Sequence, residues 1–428
     1  MYGVSCRRAG YESSPREVAL IRPTGPEPPK EIGHNLRDSL RYATVSTLGA
    51  GFVAFLLGAT GPALLVYQAA TNGGYPDGVI NSWFFAIFVG GGLLSLLLAF
   101  LYREPICGAY PIAGSALLVT VLDEYALSEA VGAFLVSGAL VLLIGVSGLF
   151  DSVMERVPNE VIMGTLAGIL LRFGIEVFAL LPGQPLLVGS MVAAYLVSFR
   201  FVQKLPPALL ALLVGLAVAS LGGQFDAGEA YLSLSHPVLI WPSFDPGAVV
   251  SIAVPLTLLA VATQNAPGVG ILWANGYEPP VNAITIFSGI GSMLTAPLSG
   301  HGLNIAAPMT AICASPESHR APENRYVATV VQGLLFVAFG LAGATVISLI
   351  QALPMALISV VAGLALLPVI LQSFRLSVGQ PRHTLAAGIA LLIGASDLTI
   401  LGINSAFWAI FAGVVLAGLL GQGTDEEP

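Results

Sequence analysis

Two sets of seven long apolar runs, separated by short polar or Pro/Gly-rich breaks, constrain this chain more than any other feature. A helix crossing the hydrocarbon of a bilayer needs about 20 largely apolar residues. The first set falls at 42–68, 79–101, 107–122, 126–150, 157–180, 185–202 and 206–222. The second falls at 247–273, 280–297, 300–315, 326–350, 354–372, 383–396 and 402–421. Composition agrees, since 56% of residues are hydrophobic and 9% are charged, against about 25% charged in a soluble domain. So few charges cannot coat a water-exposed surface. The expected fold class is an all-α polytopic membrane protein of 14 transmembrane segments.

The positions of Lys and Arg test that count, because they concentrate in cytoplasmic loops. With the N-terminus inside and the spans alternating, every Lys and Arg except Arg172 falls on the cytoplasmic side. The outer connections carry acids instead: Asp77, Asp123, Glu124, Asp226, Glu229 and Asp397. Both termini are therefore expected in the cytoplasm, with the chain in the cell membrane (inner or plasma). Residues 1–40 are polar, Arg- and Pro-rich and read as a disordered cytoplasmic tail. They lack the apolar core of a signal peptide. Residues 41–222 form the first repeat, 223–245 an extracytoplasmic linker, 246–421 the second repeat and 422–428 an acidic tail.

Other classes fit poorly. Cys6, Cys107 and Cys313 show no metal spacing, and no basic groove with interleaved aromatics suggests nucleic acid; no metal or cofactor is expected. Asp151, Glu155 and Glu160 look like helix-end charges rather than a catalytic cluster. No span shows the polar stripe that a channel needs.

The two sets echo each other. Gly58-Ala-Thr-Gly-Pro62 in span 1 corresponds to Thr263-Gln-Asn-Ala-Pro-Gly268 in span 8. Pro158 and Ala167-Gly168 in span 5 match Pro354 and Ala362-Gly363 in span 12. Repeats of seven spans have opposite orientation, so the expected plan is two inverted repeats, as in many transporters. Spans 3 and 10 open on Cys107-Gly-Ala-Tyr-Pro-Ile-Ala-Gly-Ser115 and Ser299-Gly-His-Gly-Leu-Asn-Ile-Ala-Ala-Pro308. Both are too short and too Gly/Pro-rich for a full helix. Each is read as a short extended stretch to the midplane followed by a half-helix, starting near Ala113–Ser115 and Ile305–Pro308. Such N-termini attract anions.

These stretches resemble the benzoate/proton symporters, which form a wider group with the nucleobase-ascorbate and sulfate transporters. The resemblance rests on the span 8 motif with Asn275-Gly-Tyr-Glu-Pro-Pro280, on Gly300-His-Gly-Leu-Asn-Ile-Ala306, on Ala311-Ile-Cys-Ala-Ser-Pro-Glu-Ser-His319 and on Ala167-Gly-Ile-Leu-Leu-Arg-Phe-Gly174. It implies a core domain of spans 1–4 and 8–11 and a gate domain of spans 5–7 and 12–14. Substrate would lie between them, and a homodimer is common in the wider group. The implied activity is proton-coupled uptake of benzoate or a related aromatic carboxylate by alternating access; the alternative is a nucleobase or inorganic-anion transporter of the same fold. Nucleobase members carry carboxylates in spans 8 and 10, where this chain has Thr263, Gln264, Asn265, Leu303 and Asn304. A site without a fixed acid suits an anion. Tyr110-Pro-Ile-Ala-Gly-Ser115 is also less polar than the Trp-Ser-Thr-Pro-type stretch of benzoate members.

The candidate substrate-binding residues are Gln264, Asn265 and Asn304, with Thr263, Tyr110, Ala113, Gly114, Ser115, Ile305 and Ala306 around them. Polar side chains at membrane depth are functional candidates by default, although interhelical bonding also explains them. His301 is either a proton carrier or a neutral side chain pinning the extended strand. Arg172 and Glu176, four apart, read as a local ion pair or as an outer-mouth attractor for carboxylates.

Overall fold

The structure, a computed structural model, describes residues 25–30, 32–150, 157–201, 206–224, 232–379, 383–396 and 398–421. In chain order it contains α1 (Ile32–Arg41), α2 (Val45–Ala59), α3 (Gly61–Asn72), α4 (Asp77–Tyr102), β1 (Gly108–Ala109), α5 (Ile112–Val119), α6 (Leu127–Ser147), α7 (Asn159–Ala179), α8 (Pro185–Phe201) and α9 (Pro207–Leu221). There follow α10 (Pro246–Ala274), α11 (Val281–Thr295), β2 (Asn304–Ile305), α12 (Ala307–Ala314), α13 (Tyr326–Leu341), α14 (Gly343–Gln351), α15 (Met355–Ser377), α16 (Thr384–Ala395) and α17 (Ser405–Gly421). Among the described residues, 8 helices, counting α2–α3 as one, are long and apolar enough to cross a membrane. Four shorter apolar helices, α8, α9, α16 and α17, accompany them. In lipid a helix satisfies its own backbone, which is why apolar runs take this form.

Proline sets several starts. Pro158, Pro280 and Pro354 stand just before α7, α11 and α15, where a missing N–H costs nothing. The main packing pairs are α4 on α13, α6 on α11, and α7 on both α15 and α16. Small residues bring backbones close at these crossings. A Cβ on Gly363 of α15 would sit 2.5 Å from the Phe173 carbonyl of α7.

Spans 3 and 10 are extended and then helical. β1 and β2 pair antiparallel, with Gly108 opposite Ile305 and Ala109 opposite Asn304. The half-helices are short, α5 starting at Ile112 and α12 at Ala307. Span 11 departs from one continuous helix and divides at Ala342 into α13 and α14.

The tail reading needs correction at its inner end. Residues 1–24 and 422–428 lie outside the described residues, but 25–30 and α1 are ordered against the bundle. The Glu27 carboxylate accepts from Asn282 N at 3.0 Å and Ala283 N at 2.9 Å, two orphan donors at the start of α11. Lys30 N donates to Leu101 O at 2.7 Å, and Asn35 Nδ2 to Phe100 O at 2.8 Å. Arg103 pairs with Asp38 at 3.0 Å, and Lys30 with Glu104 at 3.0 Å. Burial pushes the Glu104 carboxyl above its ordinary range, with Lys30 opposing. A polar composition reads as disorder only when nothing offers it partners, and here the ends of α4 and α11 do. The Arg156, Lys204, Asp226, Glu229, Arg382 and Asp397 placements, with the Asp151 and Glu155 reading, lie outside the described residues.

Candidate functional site

The site is built around the β1–β2 crossing. Ala306 N donates to Cys107 O at 2.7 Å, closing the pair where α12 begins. Ser95 Oγ of α4 accepts from Gly108 N at 2.8 Å and donates to Gln332 Oε1 of α13, also 2.8 Å away. From this crossing α5 and α12 run outward, so the first N–H groups of both point back toward the centre without helical partners. A third start lies beside them. The span 1 helix breaks at Thr60 (φ −95°, ψ −109°), and α3 begins at Gly61 with Pro62 in its first turn.

A cavity of about 290 Å³ lies against these three starts. Thr60, Pro62, Ile112, Ala306, Pro308 and Met309 line one side, and Leu364, Pro368, Val369 and Gln372 of α15 line the other, with Tyr195 of α8. No described lining residue is an Asp, Glu, Lys or Arg. A second cavity, of about 380 Å³, lies between α7, α10 and α15 and shares Val369 and Gln372 with the first.

The sequence-predicted residues divide. Ala306 lines the cavity. Ala113, Gly114 and Ser115 form the first turn of α5 next to Ile112, with Gly114 packed on Leu256 of α10. Thr263, Gln264 and Asn265 occupy a π-helical stretch of α10, Val261–Asn265, a form frequent at functional sites. Asn265 Oδ1 is committed to Ile305 N at 2.9 Å, and Thr263 Oγ1 returns to Leu259 O at 2.6 Å. Asn304 is fully buried, with neither amide atom bonded to a described residue, and Gln264 Oε1 is likewise without a partner among them. Neither lines the central cavity. Tyr110 points elsewhere: its hydroxyl donates to Gly58 O at 2.8 Å and its ring meets Phe88 edge-on. Arg172 is half-buried on α7, one turn before Glu176.

His301 is fully buried between aromatic rings. Trp83 Nε1–H donates to its Nδ1 at 2.9 Å, and its Nε2 lies 2.9 Å from Ser115 Oγ and 3.4 Å from Pro111 O. The next residue, Gly302, has φ +133°, which a side chain would resist. His301 therefore ties span 10 to α4 and to the start of α5.

Sequence reasoning missed Thr60, Tyr195 and Gln372. Thr60 sits inside the Gly58–Pro62 motif, and Pro368 inside the otherwise continuous α15 is a signal that could have pointed to Gln372, but nothing flagged Tyr195.

Residues 41–419 match the family described as benzoate membrane transport protein. The chain belongs to that family. It is 37% identical over 381 residues to "Inner membrane protein YdcO" of Escherichia coli (strain K12), covering 89% of this chain and 97% of that one. It is 29% identical over 372 residues to the "Benzoate membrane transport protein" of Acinetobacter baylyi, covering 87% and 94%. Its fold matches the transmembrane domain of the cyanobacterial bicarbonate transporter BicA with a TM-score of 0.58 at 14% identity, over 87% of this chain and 96% of that one. A member of this family is a multi-pass membrane transporter for a small organic anion, and not an enzyme.

Proposed function

We propose that the protein carries benzoate or a related aromatic carboxylate into the cell together with protons, by alternating access. The observation that carries this reading is the neutral, largely apolar cavity facing three helix starts. Partial positive charge at the α5 and α12 N-termini suits a carboxylate, no lining acid repels it, and apolar walls suit a ring. The name of the Acinetobacter relative supports the same substrate class.

The proposed architecture is 14 segments in two inverted repeats, with α2–α6 and α10–α14 as the core and α7–α9 and α15–α17 as the gate. The packing pairs support it. An inversion that exchanges span 2 with 9 and span 4 with 11 turns the α4–α13 crossing into the α11–α6 crossing, and both are extensive. The α5 and α12 half-helices exchange likewise. In this reading both termini are cytoplasmic, Gln264, Asn304 and Thr263 support the substrate from behind β2, Arg172 lies near the outer mouth, and two copies associate as a homodimer. His301 acts by holding span 10 in place, so the proton's route runs through other groups or through the substrate itself.

The test is uptake of labelled benzoate into proteoliposomes under an inward proton gradient, at alkaline pH to limit leakage of the neutral acid. Protein-dependent accumulation that a protonophore abolishes is expected. Active protein that accumulates uracil, xanthine or sulfate but not benzoate overturns the reading.

A further inference from the structure

The two sides of the central cavity differ in chemistry. One offers helix N-termini, which only donate. The other offers groups that accept as well. Tyr195 is 4% exposed and lines the cavity. Its ring stacks on Phe199 with centroids 6.4 Å apart, and its hydroxyl has no hydrogen bond to a described residue. Gln372, exposed at the edge of the same wall, has none either. Pro368 lies inside α15 and has no N–H, so the carbonyl of Leu364, four residues earlier, lacks its helical donor. Leu364 is itself a wall residue.

A carboxylate held at the α5 and α12 starts directs the far edge of its ring toward α8 and α15. An unsubstituted ring there covers the buried Tyr195 hydroxyl and returns nothing, which costs affinity. A phenolic hydroxyl both donates and accepts. It can donate to the Leu364 carbonyl or the Gln372 amide oxygen and accept from Tyr195. Resting on the aromatic-carboxylate reading above, we propose that Tyr195 and Gln372 are specificity-determining residues that select aromatic acids carrying a ring hydroxyl. Sites built to hydrogen-bond a hydroxyl discriminate strongly against analogues that lack it.

The test is competition against labelled benzoate on the purified full-length protein at about pH 7, where carboxylates are ionised and phenols are not. Two matched pairs, 3-hydroxy- against 3-methylbenzoate and 4-hydroxy- against 4-methylbenzoate, hold size constant and change only hydrogen bonding. In at least one pair the hydroxy acid binds about five-fold tighter or better, the worth of one net hydrogen bond. Tyr195→Phe brings that ratio to about one, and Gln372→Leu lowers it. Benzoate binding with both wild-type ratios near one, or a ratio that survives Tyr195→Phe, overturns the inference while leaving the aromatic-acid reading intact. Binding of none of these acids overturns the reading beneath it. If Tyr195→Phe fails to fold, wild-type ratios near one still overturn the inference, and Gln372→Leu carries the assignment: an unchanged ratio there overturns it too.

Discussion

Because an indole N–H can only donate, the Trp83 bond leaves Nδ1 of His301 as an acceptor and puts its proton on Nε2, facing Ser115 and Pro111. A charged imidazolium would set two N–H donors against each other at 2.9 Å. These contacts support His301 as a neutral strut, the blander of the two readings open to sequence. Trp83→Phe removes the donor and leaves a buried acceptor unpaired, at a cost of about 1–3 kcal/mol. The expected result is a lower unfolding midpoint in detergent, with His301→Gln still showing uptake driven by the pH gradient. Folded His301→Gln that transports without responding to the gradient would return the proton to the imidazole. The histidine itself was legible in the sequence, because a histidine within a membrane segment stands out. Its partner was not, since Trp83 is 218 residues away and reads as one more apolar residue of span 2.

At the scale of elements, legibility followed backbone irregularity. Glycine and proline density marked spans 3 and 10, and both became strand plus half-helix because those residues cannot sustain a regular helix. The π-helical stretches of α10 were illegible. Val249–Ala253 and Val261–Asn265 have no compositional mark, and it is the second that carries Asn265 to the Ile305 amide. The site was half legible for the same reason: polar residues in span 8 were visible, but whether they face substrate or support β2 depends on that local winding. Helix crossings offer a sharper test. The added Cβ at Gly363 would meet backbone, the Phe173 carbonyl at 2.5 Å, so relief requires moving α15 from α7. Gly363→Ala is expected to destabilise by about 1–3 kcal/mol, read as a lower thermal midpoint. An unchanged midpoint would mean that this crossing is looser than the geometry requires.

Among the described residues, cavities gather toward one face of the molecule and hydrogen bonds cross the other. The two cavities that share Gln372 lie toward the face where α2 begins. A third, of about 1030 Å³, lies there too, between Val45 and Gly49 of α2, Pro206 before α9 and Ser315 after α12. On the opposite face hydrogen bonds join the proposed core to the proposed gate. Gln68 Nε2 of α3 donates to Ser359 Oγ of α15 at 2.9 Å. Tyr125 donates to the Gly402 carbonyl and lies 2.8 Å from Ser251 Oγ, which accepts from Asn404 N at 3.3 Å. The Gly402 carbonyl is presented by a tight turn in which Leu401 and Gly402 have φ of +56° and +73°. A transporter that alternates must break these bonds to open that face, so their strength biases the resting population. Tyr125→Phe removes a donor worth about 1 kcal/mol, which shifts the equilibrium about five-fold. Ser359 is 5% exposed, and Ser359→Cys, with Cys6, Cys107 and Cys313 replaced by serine, reports the opening. Adding Tyr125→Phe is expected to speed labelling by an impermeant maleimide from the sealed face about five-fold. Equal rates with and without the tyrosine hydroxyl would separate it from the seal, leaving the packing of α3 on α15 as what holds that face shut.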